Sequence, residues 1–419
     1  AWVEALARSE CPAFTARRAR RAEQSGAPTD PIVWTSAVGS NVEDADGNVY
    51  VDFTSGFGVA AVGHRHPRVV SAITAQSEKL LHGLGDVYPS DVKIALLERL
   101  AALHPGHAPK VLLGQSGSDA VTAAIKTATL ATGRPGLVAF EGAYHGLGYA
   151  PLPACGLRES YRSPFAAQLN PHLDFIPYPR DEAGAARSLE ALDAALRGGE
   201  AGAVLIEPVL GRGGCVLPPD AFLRDACEVA HRRGALVIAD EIWTGLGRTG
   251  AMTRTGAIGA DADILCFGKG LGGGLPISAC VAPDAIMAAW AGEAEVIHTS
   301  THSGSPLCCA AAVATLDALR AEGLPARAAE VGARWMAELR EALAGCRGVV
   351  EVRGAGMMIG IELEGAALGL RAMQGMLAEG YVVLTGGVRG ETLTLTPALS
   401  TPEPLLSAAA QALRRVLGA

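Results

Sequence analysis

The sequence predicts an α/β fold in which a large, mostly parallel sheet is covered by helices, with a smaller α+β domain built from both termini. The first observation is a series of short apolar runs, and the second is that helical patterns lie between them. The runs are KVLLG (110–114), GLVAF (136–140), AVLIE (203–207), ALVIAD (235–240), DILCFG (263–268) and ISACVA (277–282). Continuous apolar strands that alternate with helices are typical of a parallel sheet buried on both faces.

The two ends of the chain differ from this centre. Residues 32–53 alternate between apolar and polar positions around the turn sequence DADGN, which predicts a small antiparallel meander. From Pro306 onward we expect long helices, then the short strands GVVEVRG, MMIGIEL and TLTLTP, and a final helix. The predicted segments are an N-terminal part of the small domain (1–60), a large α/β domain (61–305) and a C-terminal part of the small domain (306–419).

Two helices between the central strands are marked by their faces and their ends. After the sequence SGSD, one helix face is formed by Val121, Ala124, Ile125 and Ala128. These residues follow the 3.6-residue period, and Gly133 predicts the C-terminal end. The segment after Pro219 shows the same periodicity and stops at Gly234.

The composition limits the possible partners and compartments. The chain has 419 residues and a net charge of −8, which argues against a nucleic-acid or anionic-membrane partner. Its one basic run, ARRARRAE (16–23), is interpreted as the solvated face of a helix and not as a binding patch. No apolar run is long enough to cross a bilayer. Nine cysteines without a C-x-x-C spacing predict a reducing, cytoplasmic location, and no cluster of metal ligands accompanies His64 and His66.

Polar or glycine-rich sequences follow five of the predicted strands. In chain order they are QSGSD, EGAYHG, Glu207-Pro208, Asp240-Glu241, and Lys269 with GLGGG. Open α/β sheets bind ligands beyond the carboxyl ends of their strands. We therefore expect these residues to form one site.

Lys269 is the unusual residue of this set. Only five of the 35 basic residues are lysines, and Lys269 alone lies between an apolar strand and a glycine run. An arginine cannot serve as an amine nucleophile, whereas a desolvated lysine can form a Schiff base. The alternative interpretations are a lysine that extends its amine to solvent at the sheet edge, or a lysine that is ion-paired with Asp240.

Two glycine-containing segments suggest phosphate binding, and they are not equivalent. Gly117 and Ser118 begin a helix directly after a strand, so backbone N–H groups and the positive helix end would face an anion. The second segment, Gly245-x-Gly247-x-x-Gly250, has dinucleotide-fingerprint spacing. That fingerprint must open a helix at once, but polar and glycine residues follow here. We interpret these glycines as shaping an irregular loop.

These segments together resemble a known family. The motifs SGSDAVTAAIKTATLATGR, YHG, EPVLGRGG, DEIWTGLGRTG, FGKGLGGGLPISA and TSTHSGSPLCCAAA occur in this order along the chain. In order and spacing they are similar to the class III (ω) aminotransferases, which are pyridoxal 5'-phosphate enzymes of fold type I. The resemblance covers nearly the whole chain. It implies ping-pong transfer of an amino group from an amine or amino acid donor to a keto acid or aldehyde acceptor.

The resemblance assigns roles around the cofactor ring. Lys269 is expected to carry the cofactor as a Schiff base and then to move the substrate proton. Asp240 is expected to pair with the ring nitrogen. Ile242 and Tyr144 would cover the two ring faces.

The resemblance also implies roles at the edge of the ring and in a partner subunit. Gly117 and Ser118 would hold the phosphate, and His145 would be a further cofactor contact. Glu207 would be a catalytic residue near the substrate entrance. Thr301 would reach the phosphate in a neighbouring subunit, which implies a homodimer with shared sites.

The departures from the family pattern concern the substrate. Many relatives that act on 4-aminobutyrate or ornithine have an arginine where this chain has Leu147, and many carboxylate-binding relatives have one where it has Thr394. We expect weak activity on 4-aminobutyrate and ornithine, and either a less anionic amine donor or an amino acid bound by another arginine. Arg389 is the first candidate, with Arg158 and Arg162 as alternatives.

Three other positions depart from the pattern more mildly. They are Trp243 in place of glutamine, Asp119 in place of glutamate, and Ser305 in place of asparagine. The alternatives to a transaminase are an aminomutase or lyase of the same family. From other classes, they are a dinucleotide-binding oxidoreductase and a non-catalytic binding protein.

Overall fold

The computed structural model describes residues 2–26, 31–292 and 296–418. The α-helices in these ranges are α1 (Trp2–Ser9), α2 (Pro12–Ser25), α3 (Ser55–Gly58), α4 (Pro67–Lys79), α5 (Asp91–Ala101), α6 (Gly117–Thr132), α7 (Glu182–Leu196), α8 (Phe222–Arg232), α9 (Arg254–Ala257), α10 (Asp284–Met287), α11 (Pro306–Ala321), α12 (Leu324–Leu343), α13 (Ala366–Ala378) and α14 (Glu403–Gly418). None of the helices within the described ranges combines the length and apolarity needed to cross a membrane.

The strands form three sheets. They are β1 (Trp34–Val38), β2 (Asn41–Asp44), β3 (Val49–Asp52), β4 (Lys110–Gly114), β5 (Gly136–Phe140), β6 (Leu173–Ile176), β7 (Ala201–Ile206), β8 (Leu236–Asp240), β9 (Ile264–Phe267), β10 (Ser278–Ala282), β11 (Val349–Ala355), β12 (Met358–Leu363), β13 (Tyr381–Val382), β14 (Leu384–Gly386) and β15 (Thr392–Leu395). The six predicted central strands are present.

The large sheet has seven strands in the order β4-β10-β9-β8-β7-β5-β6. Strand β10 runs antiparallel to β4 and β9, and the pairs from β9 to β6 are parallel. The prediction missed β6, an edge strand in which two of the four residues are only half-buried and one is exposed. The carboxyl ends of β4, β5, β7, β8 and β9 therefore lie along one edge.

Helices cover both faces of this sheet, which is why the strands are apolar throughout. In β5, Leu137 and Ala139 pack into the cluster formed with α6, whereas Val138 and Phe140 pack into the cluster formed with α7 and α8. Phe222 of α8 belongs to the second cluster and meets Phe140 edge-on at 6.1 Å between ring centroids. The predicted α/β class with a mostly parallel sheet is confirmed.

The flanking sheets connect the two ends of the chain. The meander β1-β2-β3 is present, and the C-terminal strand β13 adds to it in parallel with β3. The other C-terminal strands form the antiparallel sheet β11-β12-β15-β14. The short strands β13 and β14 were not predicted, because runs of two and three residues carry no periodicity. The boundaries near residues 60 and 305 stay predictions.

Candidate active site

Asp240 and Lys269 lie at neighbouring strand ends. Strand β8 ends at Asp240, which is in register with Cys266 of the adjacent parallel strand β9. Strand β9 ends at Phe267, and Lys269 follows after one glycine. The pairing therefore brings a carboxylate and an amine from distant parts of the sequence to the same edge of the sheet.

The backbone and the surroundings of Lys269 are both unusual. Its φ of 38° lies in the left-handed region, which a residue with a side chain adopts only at a cost. Its Nζ lies 4.4 Å from the ring centroid of Trp243, and it makes no ion pair within 4 Å among the described residues. Burial lowers the pKa of this amine to about 8, against the opposing effect of Asp240 and Glu207. The alternative of an ion pair with Asp240 is not supported, and the amine is neutral at a lower pH than an ordinary lysine.

Asp240 is buried and held from two sides. Its Oδ2 accepts a hydrogen bond of 2.8 Å from His145 Nδ1, and its Oδ1 accepts one of 3.1 Å from the backbone N–H of Ile242. Because a carboxylate only accepts, the His145 proton lies on Nδ1. The carboxylate keeps lone pairs for a further donor, and its orientation is fixed.

The side chain of Ile242 lies close to two glycines of the site. A Cβ built at Gly117 would lie 2.9 Å from Ile242 Cδ1, and one built at Gly268 would lie 3.2 Å from Ile242 Cγ2. The start of α6 and the segment before Lys269 therefore both approach this side chain at glycines. Ile242 presents an apolar surface between the lysine and the helix N-terminus.

The N-terminus of α6 is ordered by a capping box. Ser116 accepts from the backbone N–H of Asp119, whose carboxylate accepts in turn from Ser116 N. Gly146, with a φ of 99°, lies so close to Ser118 that a Cβ there would overlap the Ser118 hydroxyl. The first N–H groups of a helix have no intrahelical acceptor. The N–H groups near Ser118 thus form a cradle for an anion beside the loop that carries His145.

Glu207 fixes the loop that carries Tyr144. Its Oε1 accepts a 2.7 Å hydrogen bond from Tyr144 N, and its Oε2 accepts a 2.9 Å bond from Gly211 N. Burial raises the pKa of this carboxyl, while the charge of His145 opposes the rise. The guanidinium of Arg212 lies over the Tyr144 ring at 4.8 Å. Sequence reasoning did not single out Arg212, although the motif EPVLGRGG contains it.

The glycine-rich segment after β8 is a loop and not a dinucleotide motif. Glu241 is buried, and its carboxylate accepts from Thr244 Oγ1, Thr255 N and Thr255 Oγ1. The next helix, α9, begins only at Arg254. Gly247 and Gly250 have φ values of 90° and 99°, which side-chain-bearing residues rarely adopt. Glu241 therefore organises the loop, and this segment gives the oxidoreductase alternative no support.

The predicted substrate and partner residues lie in different places. Thr394 faces a cavity of about 300 Å³ that Trp243 also lines, whereas Leu147 is exposed outside it. Arg158 and Arg389 line an adjacent cavity of about 700 Å³. Arg162 lies elsewhere, over the Phe175 ring.

Thr301 is exposed in the turn before α11. The neighbouring Ser300 hydroxyl accepts a 3.3 Å hydrogen bond from Gln115, which lies just before α6. The segment that contains Thr301 therefore approaches the N-terminus of α6 in its own subunit.

The chain belongs to the class III aminotransferases, since the model of that family matches residues 23–417. The chain is therefore a pyridoxal-phosphate-dependent transaminase. It is 36% identical to an acetylornithine aminotransferase of Methanothermobacter thermautotrophicus, over 92% of this chain and 94% of that protein. It is 33% identical to a 4-aminobutyrate aminotransferase of Mycobacterium bovis, over 94% of this chain and 93% of that protein.

Solved structures agree with the fold. A PLP-bound amine transaminase from an uncultivated Pseudomonas species superimposes with a TM-score of 0.85 at 29% identity, covering 92% of this chain and 94% of that one. The ornithine aminotransferase of Toxoplasma gondii ME49 gives a TM-score of 0.84 at 28% identity, covering 93% of this chain and 91% of that one. The predicted family and fold type are confirmed.

The residues present fit pyridoxal phosphate. The buried Nε2 of His145 and Nε1 of Trp243 have no hydrogen-bond partner among the described residues, so both can form a hydrogen bond with a bound group. The helix N-terminus supplies an anion cradle, Ile242 an apolar face, and Asp240 a fixed carboxylate. A cationic pyridine ring with a phosphate needs each of these groups.

The lowered pKa of Lys269 can be measured directly. We expect competitive acetylation of cofactor-free protein to modify Lys269 half-maximally near pH 8, because only the neutral amine reacts and burial shifts its appearance down from 10.5. Peptide mass spectrometry measures the acetylated fraction of Lys269 at each pH. The other four lysines, measured in the same digest, correct for the reagent's own pH dependence. A midpoint above pH 10 for Lys269 would contradict the burial argument.

Proposed function

We propose that Lys269 is the residue to which the cofactor aldehyde is covalently attached and that it is the main proton carrier of the transamination. One observation carries this assignment. The amine of Lys269 has a pKa of about 8, and Lys269 follows strand β9, which is paired with the strand that ends in Asp240. An amine that is neutral near the working pH can act both as a nucleophile and as a general base.

Pyridoxal phosphate, when bound, withdraws electrons from the carbon that bears the amino group and so makes its proton removable. The protein's part is to hold and move protons. With the cofactor bound, Nζ of Lys269 would take that proton and return it to a neighbouring carbon. The carboxylate of Asp240 would keep the ring nitrogen protonated, and His145 holds that carboxylate in place.

The remaining residues bind and position. Gly117 and Ser118 would hold the phosphate at the N-terminus of α6, with Ile242 on one ring face and Tyr144 on the other. We assign Glu207 a positioning role, since both of its oxygens accept backbone N–H groups of the loops on either side. Hydrogen bonds to a charged group contribute about 1.5–3 kcal/mol each, enough to hold these loops.

The donor is proposed to be an amino acid bound by an arginine other than those of the 4-aminobutyrate and ornithine enzymes. Thr394 lines the smaller cavity, so the position where many relatives carry an arginine faces the substrate here without a charge. Arg389 lines the adjacent cavity and is the proposed substitute. Activity on 4-aminobutyrate and ornithine is expected to be weak.

The proposed assembly is a homodimer in which Thr301 reaches the partner's phosphate. Large apolar side chains are exposed in two segments near Thr301, namely Leu81, Leu84, Val87 and Tyr88, and Val296 and Ile297. The ring of His82, in the first of these segments, lies 5.2 Å from the ring of His302, the residue after Thr301, measured between centroids. Exposed apolar patches of this kind mark interfaces. The free state of the nine cysteines supports a reducing location such as the cytoplasm.

Replacing the proposed nucleophile tests the core of this assignment. Lys269→Ala is expected to lose the absorbance of covalently bound cofactor and essentially all turnover, while circular dichroism shows a folded protein. Lys110→Ala, which removes an exposed lysine that pairs with Asp284 at 3.7 Å, is the matched control. Normal transamination by Lys269→Ala would refute the proposal.

The carboxylate that faces the ring can be tested separately. Asp240→Asn should still bind the cofactor, but it should slow proton removal by on the order of 10²–10³-fold, because one preorganised electrostatic partner is lost. Stopped-flow absorbance of the donor half-reaction measures this rate. Asp284→Asn, at an exposed carboxylate outside the site, serves as the control. A half-reaction near the wild-type rate would count against the role of Asp240.

Shared sites predict complementation between inactive subunits. Mixing Lys269→Ala with Thr301→Ala protomers should create one intact site per heterodimer, because Lys269 and Thr301 of that site come from different chains. Activity of the purified heterodimer is the measurement. Mixing Lys269→Ala with Asp240→Asn is the control, since both residues belong to one subunit's site and no intact site forms. An active monomer in sedimentation, or equal activity of the two mixtures, would rule out the crossing role.

A further inference from the structure

The cavity of about 700 Å³ beside the site has an unusual wall. Its lining includes six arginines and, among the described residues, no aspartate or glutamate. The arginines are Arg17, Arg20, Arg21, Arg158, Arg212 and Arg389. They come from helix α2, the loop before β6, the loop after β7 and the turn after β14. Four separate segments thus direct cations at one space.

These arginines are not neutralised by the protein. No carboxylate of the described chain pairs within 4 Å with the guanidinium of any of the six, although Glu391 accepts a 2.8 Å hydrogen bond from the backbone N–H of Arg389. Arg353 elsewhere, by contrast, is paired with both Glu351 and Glu362. The pKa of Arg21 is lowered by burial first, and then by the charges of Arg17, Arg212 and Arg158. Like charges that are brought together without counter-charges destabilise the site, and an anionic ligand would remove that repulsion.

The polar contacts that these arginines do make orient them. Arg158 Nε donates a 3.1 Å hydrogen bond to the carbonyl of Val388, which joins two walls of the cavity. Arg212 is held over the Tyr144 ring at 4.8 Å. Both contacts leave guanidinium N–H groups available, because each guanidinium has five donors.

The arginine cavity shares part of its wall with the smaller cavity, which reaches Trp243 beside the Lys269 amine. The smaller cavity shares Arg17, Arg21 and Arg212 with it and extends to Trp243. The ring of Trp243 lies beneath the Lys269 amine. The one carboxylate in the smaller cavity, Glu10, is already engaged by Arg18 and Thr15. A substrate whose amino group reacts at Lys269 would therefore place its far end among the arginines.

We infer that the substrate of this transaminase carries at least two negative charges at the end remote from its amino group, as a phosphate or a pair of carboxylates. The inference rests on the proposed function, because it needs Lys269 as the reacting amine. One carboxylate accepts one bidentate guanidinium and would leave most of the six cations unmatched. A cavity of this volume holds a small molecule. The arginines of α2 were interpreted as a solvated face, and Arg17 and Arg20 are indeed exposed. A binding role is added for these two residues and for Arg21.

Amine donors that differ only at the far end test the inference on the holoenzyme. The panel is n-pentylamine, 6-aminohexanoate, 5-aminopentyl phosphate and 2-(4-aminobutyl)malonate, at one fixed acceptor. We expect kcat/KM for the phosphate or the malonate donor to exceed that for pentylamine by on the order of a hundredfold, mainly through KM. The better of the two doubly charged donors identifies the anion, and added salt should reduce the advantage.

Variants of the cavity wall locate the effect. Arg20→Gln and Arg389→Gln should each lower the ratio of kcat/KM for the doubly charged donor to kcat/KM for pentylamine by about tenfold. Arg20→Lys and Arg389→Lys, which keep the charge, should restore part of this ratio. Arg371→Gln removes the same charge from an exposed position on α13, next to Leu370 of the wall, and is the matched control.

The outcomes separate the two proposals. If no amine in the panel reacts, the assignment of Lys269 fails as well. Equal kcat/KM for charged and uncharged donors, or an equal loss in Arg371→Gln, would overturn the inference alone. Strong inhibition by polyglutamate without any preference among the small donors would also overturn it, since the cavity would then serve an acidic macromolecule.

Discussion

The register between β8 and β9 is the constraint on which the site depends. It sets Asp240 opposite Cys266, so that the chain emerging from β9 delivers Lys269 beside a buried carboxylate. Both strands are buried on both faces and cannot slip without exposing apolar residues. The left-handed backbone of Lys269 is tolerated because this packing fixes what comes before it. The chemistry at the edge of the sheet thus rests on apolar packing in its interior.

A layer of polar contacts converts that edge into a fixed site. His145 holds Asp240, and Glu207 holds the backbone of Tyr144 and Gly211. These bonds lie in a desolvated region where an unpaired partner would be costly, so they act together and not as independent pairs. The burial that lowers the pKa of Lys269 is the same burial that raises the pKa of Glu207.

The sequence predicted the parts of this arrangement that depend on local pattern. The apolar strands, the start of α6 directly after β4 and the isolated lysine all follow from neighbouring residues, and the resemblance to a family added the cofactor. The contact of His145 with Asp240 joins residues 95 positions apart, and the contact of Tyr144 with Glu207 joins residues 63 apart. No periodicity encodes such contacts. The edge strand β6 escaped prediction because it is too exposed to show a buried pattern.

The arginine cavity shows why net charge alone misjudges a binding partner. The chain carries a net charge of −8, which weighs against a polyanionic surface such as nucleic acid as a partner. Within a cavity, however, the potential is set by groups a few ångströms away, because a low-dielectric wall screens them less than solvent screens the surface. Six arginines from four segments dominate there whatever the remaining surface carries. A basic run such as residues 16–23 can therefore be exposed along one helix face and still decide what binds, once the fold turns that helix toward a cavity.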